Sequence, residues 1–368
     1  MHPTLPPFVK GMDLCRRFYE QAVRPILAAH FPALRYSAAR LDGGSDVLGF
    51  DTSQSRDHDW GPKVMLFLDE DEFDEVNEPL SRVLSENLPF TIDGYPTSFG
   101  YHVDAYGLEA TDQRPFHHGV SLETVRGFFT KHLGVDPDGE IAARQWLAIA
   151  QQRLCTVARG KVFHDGLQRL GRARCTLSWY PKDVWTFLLC CQWRRLDQEE
   201  PFVARCGDVG DELGSRIVAA RQIVELMRLC FLLEKQYWPY QKWFGSAFSG
   251  LRCAATLQPI FVEVMESSTW KDRERHLNRA FRQVAQIQNQ IGIIEPVEPS
   301  ISQFYDRPYL VLGSGRFVSA LYDAIGSEYL RSIHRQVGSV DQFADSTDIL
   351  CWNNALDTIA NVYELPKE

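Results

Sequence analysis

Between Met12 and His30 the apolar residues Leu14, Phe18, Ala22, Ile26 and Leu27 recur mostly at four-residue spacing, which marks one face of a helix. Pro25 has no N–H to donate and predicts a bend or a split in that helix. A turn-rich stretch follows, Asp42-Gly43-Gly44-Ser45-Asp46. Val64-Met65-Leu66-Phe67-Leu68 is then a short apolar run bounded by turn residues, the pattern of a buried strand. The acidic run Asp69 to Glu75 closes that strand and opens a helix through about Leu88, since carboxylates favour the positive end of a helix dipole. Residues 90 to 125 alternate short apolar pieces with Gly, Pro and Asp, and predict further strands within Phe99 to Tyr106 and Val120 to Val125.

After Gly134 the pattern becomes helical. Candidate helices run over Glu140 to Val157, from Pro181 and Asp183 onward, and over Asp208 to Gln236, Ala254 to Glu266 and Trp270 to Ile291. The stretch Glu295 to Ser300, interleaved with Pro and Glu, reads as a linker into a last helical block, Arg316 to Leu356. Within Asp208 to Gln236 a broad stripe that includes Leu213, Ile217, Leu226 and Phe231 suits burial in a helical bundle. A chain of 368 residues predicts about two domains. The boundary falls near Gly134 to Gly139, with a small α/β domain over residues 1–135 and a large helical domain over 136–368. The expected fold class is α+β, a mixed-sheet α/β domain followed by an all-helical one.

Composition narrows the function classes. With 45% hydrophobic and 12% aromatic residues the chain has the means to build cores, which excludes wholesale disorder. The 48 acidic against 39 basic residues leave a net charge of −9, which disfavours a nucleic-acid or anionic-membrane partner because such binders present a net basic face. Modification of RNA or protein would need a local basic groove. The nine cysteines form no CxxC pair and several lie in apolar runs, the pattern of buried reduced thiols in a cytosolic protein. No apolar leader stands within Met1 to Lys10, and no apolar run reaches the ~18–20 residues of a membrane span. The expectation is a soluble, cytoplasmic protein with no membrane partner.

Candidate chemistry concentrates between residues 43 and 59. On a strand, residues i and i+2 share a face, so Asp57 and Asp59 present two carboxylates side by side. Like charges that close repel unless a cation sits between them, and hard oxygen ligands suit Mg²⁺. Upstream, Gly43 and Gly44 allow backbone to approach a ligand closely, and a following helix start offers N–H groups to phosphate. A phosphate cradle therefore precedes a carboxylate pair, with 11 residues between Ser45 and Asp57.

Gly44, Ser45, Asp57 and Asp59 at this spacing resemble the fingerprint of the nucleotidyltransferase superfamily. The chain is similar, more narrowly, to an uncharacterised bacterial and fungal family of nucleotidyltransferase-like proteins. That likeness runs through Gly44-Ser45-Asp46-Val47-Leu48-Gly49-Phe50-Asp51, Asp57-His58-Asp59-Trp60-Gly61-Pro62, Trp179-Tyr180-Pro181 and Tyr237-Trp238-Pro239-Tyr240-Gln241-Lys242-Trp243. The resemblance implies Mg²⁺-dependent transfer of a nucleoside monophosphate from a triphosphate such as ATP to a small-molecule hydroxyl acceptor, with loss of pyrophosphate. Asp57 and Asp59 would hold the metal, and Gly44 and Ser45 the outer phosphates. Such enzymes use a third carboxylate on a neighbouring strand, for which Glu123 is preferred, then Asp104, with Glu109 also available; related sequences carry an acid at the position of Ser121. The alternative is a non-catalytic protein that keeps the fold and binds a nucleotide or a partner.

Other features read more plainly as structure. Gly313-Ser314-Gly315 lacks a Walker lysine and reads as a turn before a helix. His117 and His118 are adjacent and do not share a face, and His164-Asp165 reads as a turn and cap. Arg194 and Arg195 read as partners of nearby helix-surface acids. Lys242, among the aromatics of Tyr237 to Trp243 and after Arg228 and Lys235, is a candidate phosphate ligand.

Overall fold

Among the described residues eight strands precede Gly166: β1 (Tyr36–Arg40), β2 (Val64–Leu68), β3 (Thr91–Ile92), β4 (Tyr95–Pro96), β5 (Phe99–His102), β6 (Ala105–Leu108), β7 (Val120–Thr124) and β8 (Lys161–Asp165). They belong to a computed structural model that describes residues 6–55, 60–102, 105–333, 336–352 and 356–364. Four of them make one mixed sheet in the order β7-β2-β1-β8, with β7 parallel to β2 and β1 antiparallel to both its neighbours. β3 with β4 and β5 with β6 form separate two-stranded ladders.

Strand alternation divides the large sheet into two faces. Ala38, Leu66 and Leu122 line up across β1, β2 and β7, and with Val64, Leu68 and Val120 they pack against the helices Gly11–Phe18 and Phe73–Asn87 through residues such as Leu14, Phe18, Leu80 and Leu84. The other face carries Ser37, Phe67 and Glu123 in one row and Ala39, Met65 and Ser121 in the next. There Phe67 meets Phe128 of the helix Val125–Leu133 edge-on at 5.6 Å.

The chain divides into two compact units, one made of the residues up to Ile141 together with Arg153–Ser178, the other of Ala142–Gln152 and the residues from Trp179 onward. The first holds the four-stranded sheet. The second is built on Lys182–Glu199, Glu212–Leu233 and Trp270–Ile291. The middle of Lys182–Glu199 is buried on all sides, through Trp185, Phe187, Leu188, Cys190, Cys191 and Trp193, which is the pattern of a helix at the centre of a bundle.

Several expectations meet the structure directly. The strand at Val64–Leu68 and the helices Ala254–Glu266 and Trp270–Ile291 have the predicted limits. Pro25 enters the helix Arg24–His30 just after a π-helical turn, Tyr19–Val23, which absorbs the missing hydrogen bond.

Others are corrected. The single helix over Glu140 to Val157 is two, Ala143–Ala148 and Gln151–Arg159. The helical run after Gly134 is interrupted by β8, so His164 and Asp165 lie on a strand paired with β1; Asp165 nevertheless caps, accepting from the Gly171 amide at 2.9 Å. Leu213 and Ile217 are not buried but 70% and 61% exposed. Arg195 leaves the helix surface for a two-pronged pair with Glu225 on a neighbouring helix, at 2.9 and 2.7 Å, while Arg194 pairs with Asp197 as a surface residue would. All nine cysteines are free thiols, six of them buried. No helix among the described residues is long and apolar enough to cross a membrane.

Candidate functional site

β1 ends at Arg40 and runs into the turn Leu41 to Gly44, after which the short helix Ser45–Leu48 begins. The turn is shaped by a buried ion pair. Arg40 Nε lies 3.2 Å from Asp46 Oδ2, with the side chains 3% and 1% exposed, and Arg40 Nη2 donates to the Gly43 carbonyl at 3.1 Å. Gly44 sits at φ +143°, and a Cβ there would stand 2.2 Å from Asp46 Oδ1. A glycine is therefore required for the carboxylate to fold back under the turn. Asp42 accepts from the Gly43 amide at 2.6 Å, and Ser45 is half-buried.

A second buried acid ties the following loop to the first helix. Asp51 Oδ2 accepts from the Gly11 amide at 2.7 Å and from the Trp60 indole at 3.1 Å, and Lys10 lies 3.2 Å from Oδ1. Gly11 is pressed against both Asp46 and Trp60, leaving no space for a Cβ. Asp46, Asp51 and Trp60 are thus framework rather than ligands.

Of the site residues expected from sequence, Asp57, Asp59 and Asp104 lie outside the described residues. Glu123 stands on β7, two strands from β1 in the sheet, half-buried, with Lys131 Nζ at 3.9 Å. Burial pushes its carboxyl above the ordinary range; Lys131 opposes the shift and the charge of Asp42 adds to it. Among the described residues no group of three or more His, Cys, Asp and Glu is placed to hold a metal ion.

Register adds a distinction invisible in sequence. Ser121 is level with Met65 and Ala39, whereas Glu123 is level with Phe67 and Ser37, about 7 Å farther along the strands from the Gly43-Gly44 turn. Glu109 instead meets the β5–β6 ladder, where its amide donates to the Ser98 carbonyl at 3.0 Å.

Lys242 belongs to the second unit, on the helix Gln241–Phe248, with its ammonium 4.9 Å from the Trp243 ring centroid. It lines a cleft of about 460 Å³ together with Arg228, Trp238, Tyr240 and Asp341. Lys235 faces elsewhere: it adopts φ +53°, lies 4.2 Å over the Trp185 ring and lines a different cleft with Glu234 and Cys253. The aromatic residues of Trp179-Tyr180 and Tyr237 pack on one another, with Trp179 and Tyr237 centroids 4.8 Å apart. The Gly313-Ser314-Gly315 turn receives no outside anion, because Glu200 accepts from the amides of Leu312, Gly313 and Ser314, and Asp197 accepts from that of Gly315.

Asp341 is the residue that sequence reasoning missed. It is buried, accepts from the Gln151 amide at 2.9 Å and from the Trp238 indole, and burial pushes its carboxyl up to about 6 against those two donors and the nearby Arg228. Its partners lie more than a hundred residues away along the chain, so no local pattern marks it.

Residues 146–244 match the model of a family described as Domain of unknown function (DUF4037). The match begins at Trp146, takes in Trp179-Tyr180-Pro181 and Tyr237 to Trp243, and ends at Phe244. No curated protein and no solved structure matches the chain.

Proposed function

We propose that the chain transfers a nucleoside monophosphate from a nucleoside triphosphate, ATP in first place, to a hydroxyl of a small molecule and releases pyrophosphate. The observation that carries this reading is the Gly43-Gly44-Ser45 turn at the end of β1, held by a buried Arg40–Asp46 pair that only a glycine at 44 tolerates, with eleven residues between Ser45 and Asp57. The turn backbone and the Ser45 hydroxyl bind the outer phosphates. The acceptor oxygen attacks the α-phosphorus, the bond from that phosphorus to the pyrophosphate oxygen breaks, and the acceptor proton passes to Glu123, whose half-buried carboxyl is held basic. Mg²⁺, with Asp57 and Asp59 as its ligands, supplies charge neutralisation and orientation of the two oxygens when bound.

A second reading is favoured by one observation: the β7 position level with the turn side of β1 is Ser121, not an acid. In that reading the chain binds the nucleotide without transferring it. Calorimetric titration with ATP and Mg²⁺, followed by pyrophosphate release across a panel of hydroxyl acceptors, separates the two. Acceptor-dependent release that disappears in Asp57→Ala with Asp59→Ala supports transfer. Binding with no release from any acceptor supports the second reading, and no binding of any triphosphate contradicts both.

A further inference from the structure

The cleft that holds Lys242 continues into a second hollow of about 520 Å³ in the same unit, sharing Arg228, Gln241, Asp341, Asp345 and Thr347. Each is within the range of small-ligand sites. The two ends differ chemically. One is lined by Trp238, Pro239, Tyr240, Phe244 and Leu350, the other by Arg195, Arg221, Arg228 and Glu225. Arg228 stands where they join.

The state of Arg228 sets it apart from its neighbours. Arg195 is held by the two-pronged pair with Glu225 at 2.9 and 2.7 Å, and the more exposed Arg221 pairs with Glu199 at 3.1 Å. Among the described residues Arg228, with its side chain 14% exposed, makes a single long bond of 3.4 Å to Glu225, and its Nε is buried with no acceptor. Its guanidinium carbon lies 5.8 Å from the Trp238 ring centroid, so the charge rests beside an aromatic wall. A guanidinium carries five N–H donors in a planar fork that suits a carboxylate or a phosphate. Glu225 cannot serve more of them, because Gln192 and Arg195 already occupy its oxygens.

We propose that this cleft binds a small molecule with an anionic head, a carboxylate or a phosphate, and a flat apolar body: the head on the free donors of Arg228 with Lys242 as a second cation, the body along Trp238 and Tyr240. The site lies within the second unit and does not rest on the nucleotidyl-transfer reading.

The test uses the full chain and four probes by calorimetric titration: 2-naphthoate, 2-naphthyl phosphate, the neutral 2-naphthol, and inorganic phosphate. The expected result is saturable binding of one or both naphthyl anions, at least tenfold tighter than 2-naphthol or inorganic phosphate. The naphthoate and naphthyl phosphate arms tell which head the cleft prefers. Arg228→Gln weakens the preferred anion at least tenfold. Arg228→Lys, which keeps the charge against Glu225 but not the fork, weakens it too, so the result stands even if the glutamine variant does not fold. Equal binding of 2-naphthol, binding of inorganic phosphate as tight as that of naphthyl phosphate, no binding of either naphthyl anion, or unchanged affinity in a folded Arg228 variant overturns the proposal.

Discussion

Gly44 and Arg40 fix the turn through opposite demands, one for space and one for charge. A methyl group at 44 meets Asp46 Oδ1 at 2.2 Å and forces a side chain into the left-handed region, so Gly44→Ala is expected to cost about 1–3 kcal/mol in urea unfolding. Arg40→Ala leaves Asp46 buried without its cation and is expected to cost about 3–5 kcal/mol. Asp341 makes a different prediction, because its folded-state pKa is raised from 3.8 to about 6. A raised acid favours folding fully below its unfolded pKa, and that contribution fades as pH rises through the folded one. Between pH 4 and pH 8, wild type should lose about 2 kcal/mol of stability relative to Asp341→Asn, most of what a shift of about two pKa units supplies. A gap that does not change with pH contradicts the burial of a titrating Asp341.

At the scale of elements, the helix Glu212–Leu233 separates what periodicity shows from what packing decides. Its apolar residues spread too widely around the axis for all of them to be buried. Burial falls on Leu226, Leu229 and Phe231, while Leu213 and Ile217 face out. Leu213→Lys and Ile217→Lys are therefore expected to change stability by less than about 0.5 kcal/mol, and Leu226→Ala to cost about 2–5 kcal/mol, by denaturant unfolding. β8 escaped the sequence for a related reason. Its burial alternates weakly, Lys161 and His164 are exposed, and its only sheet neighbour among the described residues is β1, more than a hundred residues earlier. A half-exposed edge strand carries little period-2 signal, and its register comes from pairing, including the irregularity opposite Ala38 and Ala39. By contrast β2 reads directly, since all five of its residues are buried.

For the molecule as a whole, the legible parts are those where local pattern and burial agree: the fully buried strand, the long helices, and the glycine turn whose backbone admits one residue type. The hidden parts join distant segments. Arg228, Glu225 and Arg195 come from two helices, and Asp341 meets Gln151 across 190 positions. Arg40 and Asp46 stand only six positions apart, yet the role of the pair appears only once the turn is seen in three dimensions. The acidic balance of the chain, −9 overall, does not prevent anion binding where individual cations such as Arg228 are left with donors to spare. Nucleotidyl transfer is decided by following the α-phosphorus. Each nucleoside triphosphate, labelled at the α-phosphorus, is incubated with the protein, Mg²⁺ and a pool of hydroxylated small molecules. The expected result is α-label covalently attached to an acceptor, abolished by Asp57→Asn with Asp59→Asn and reduced by Gly44→Ala. Absence of labelled acceptor with every triphosphate, or labelling that persists in the double variant, contradicts it.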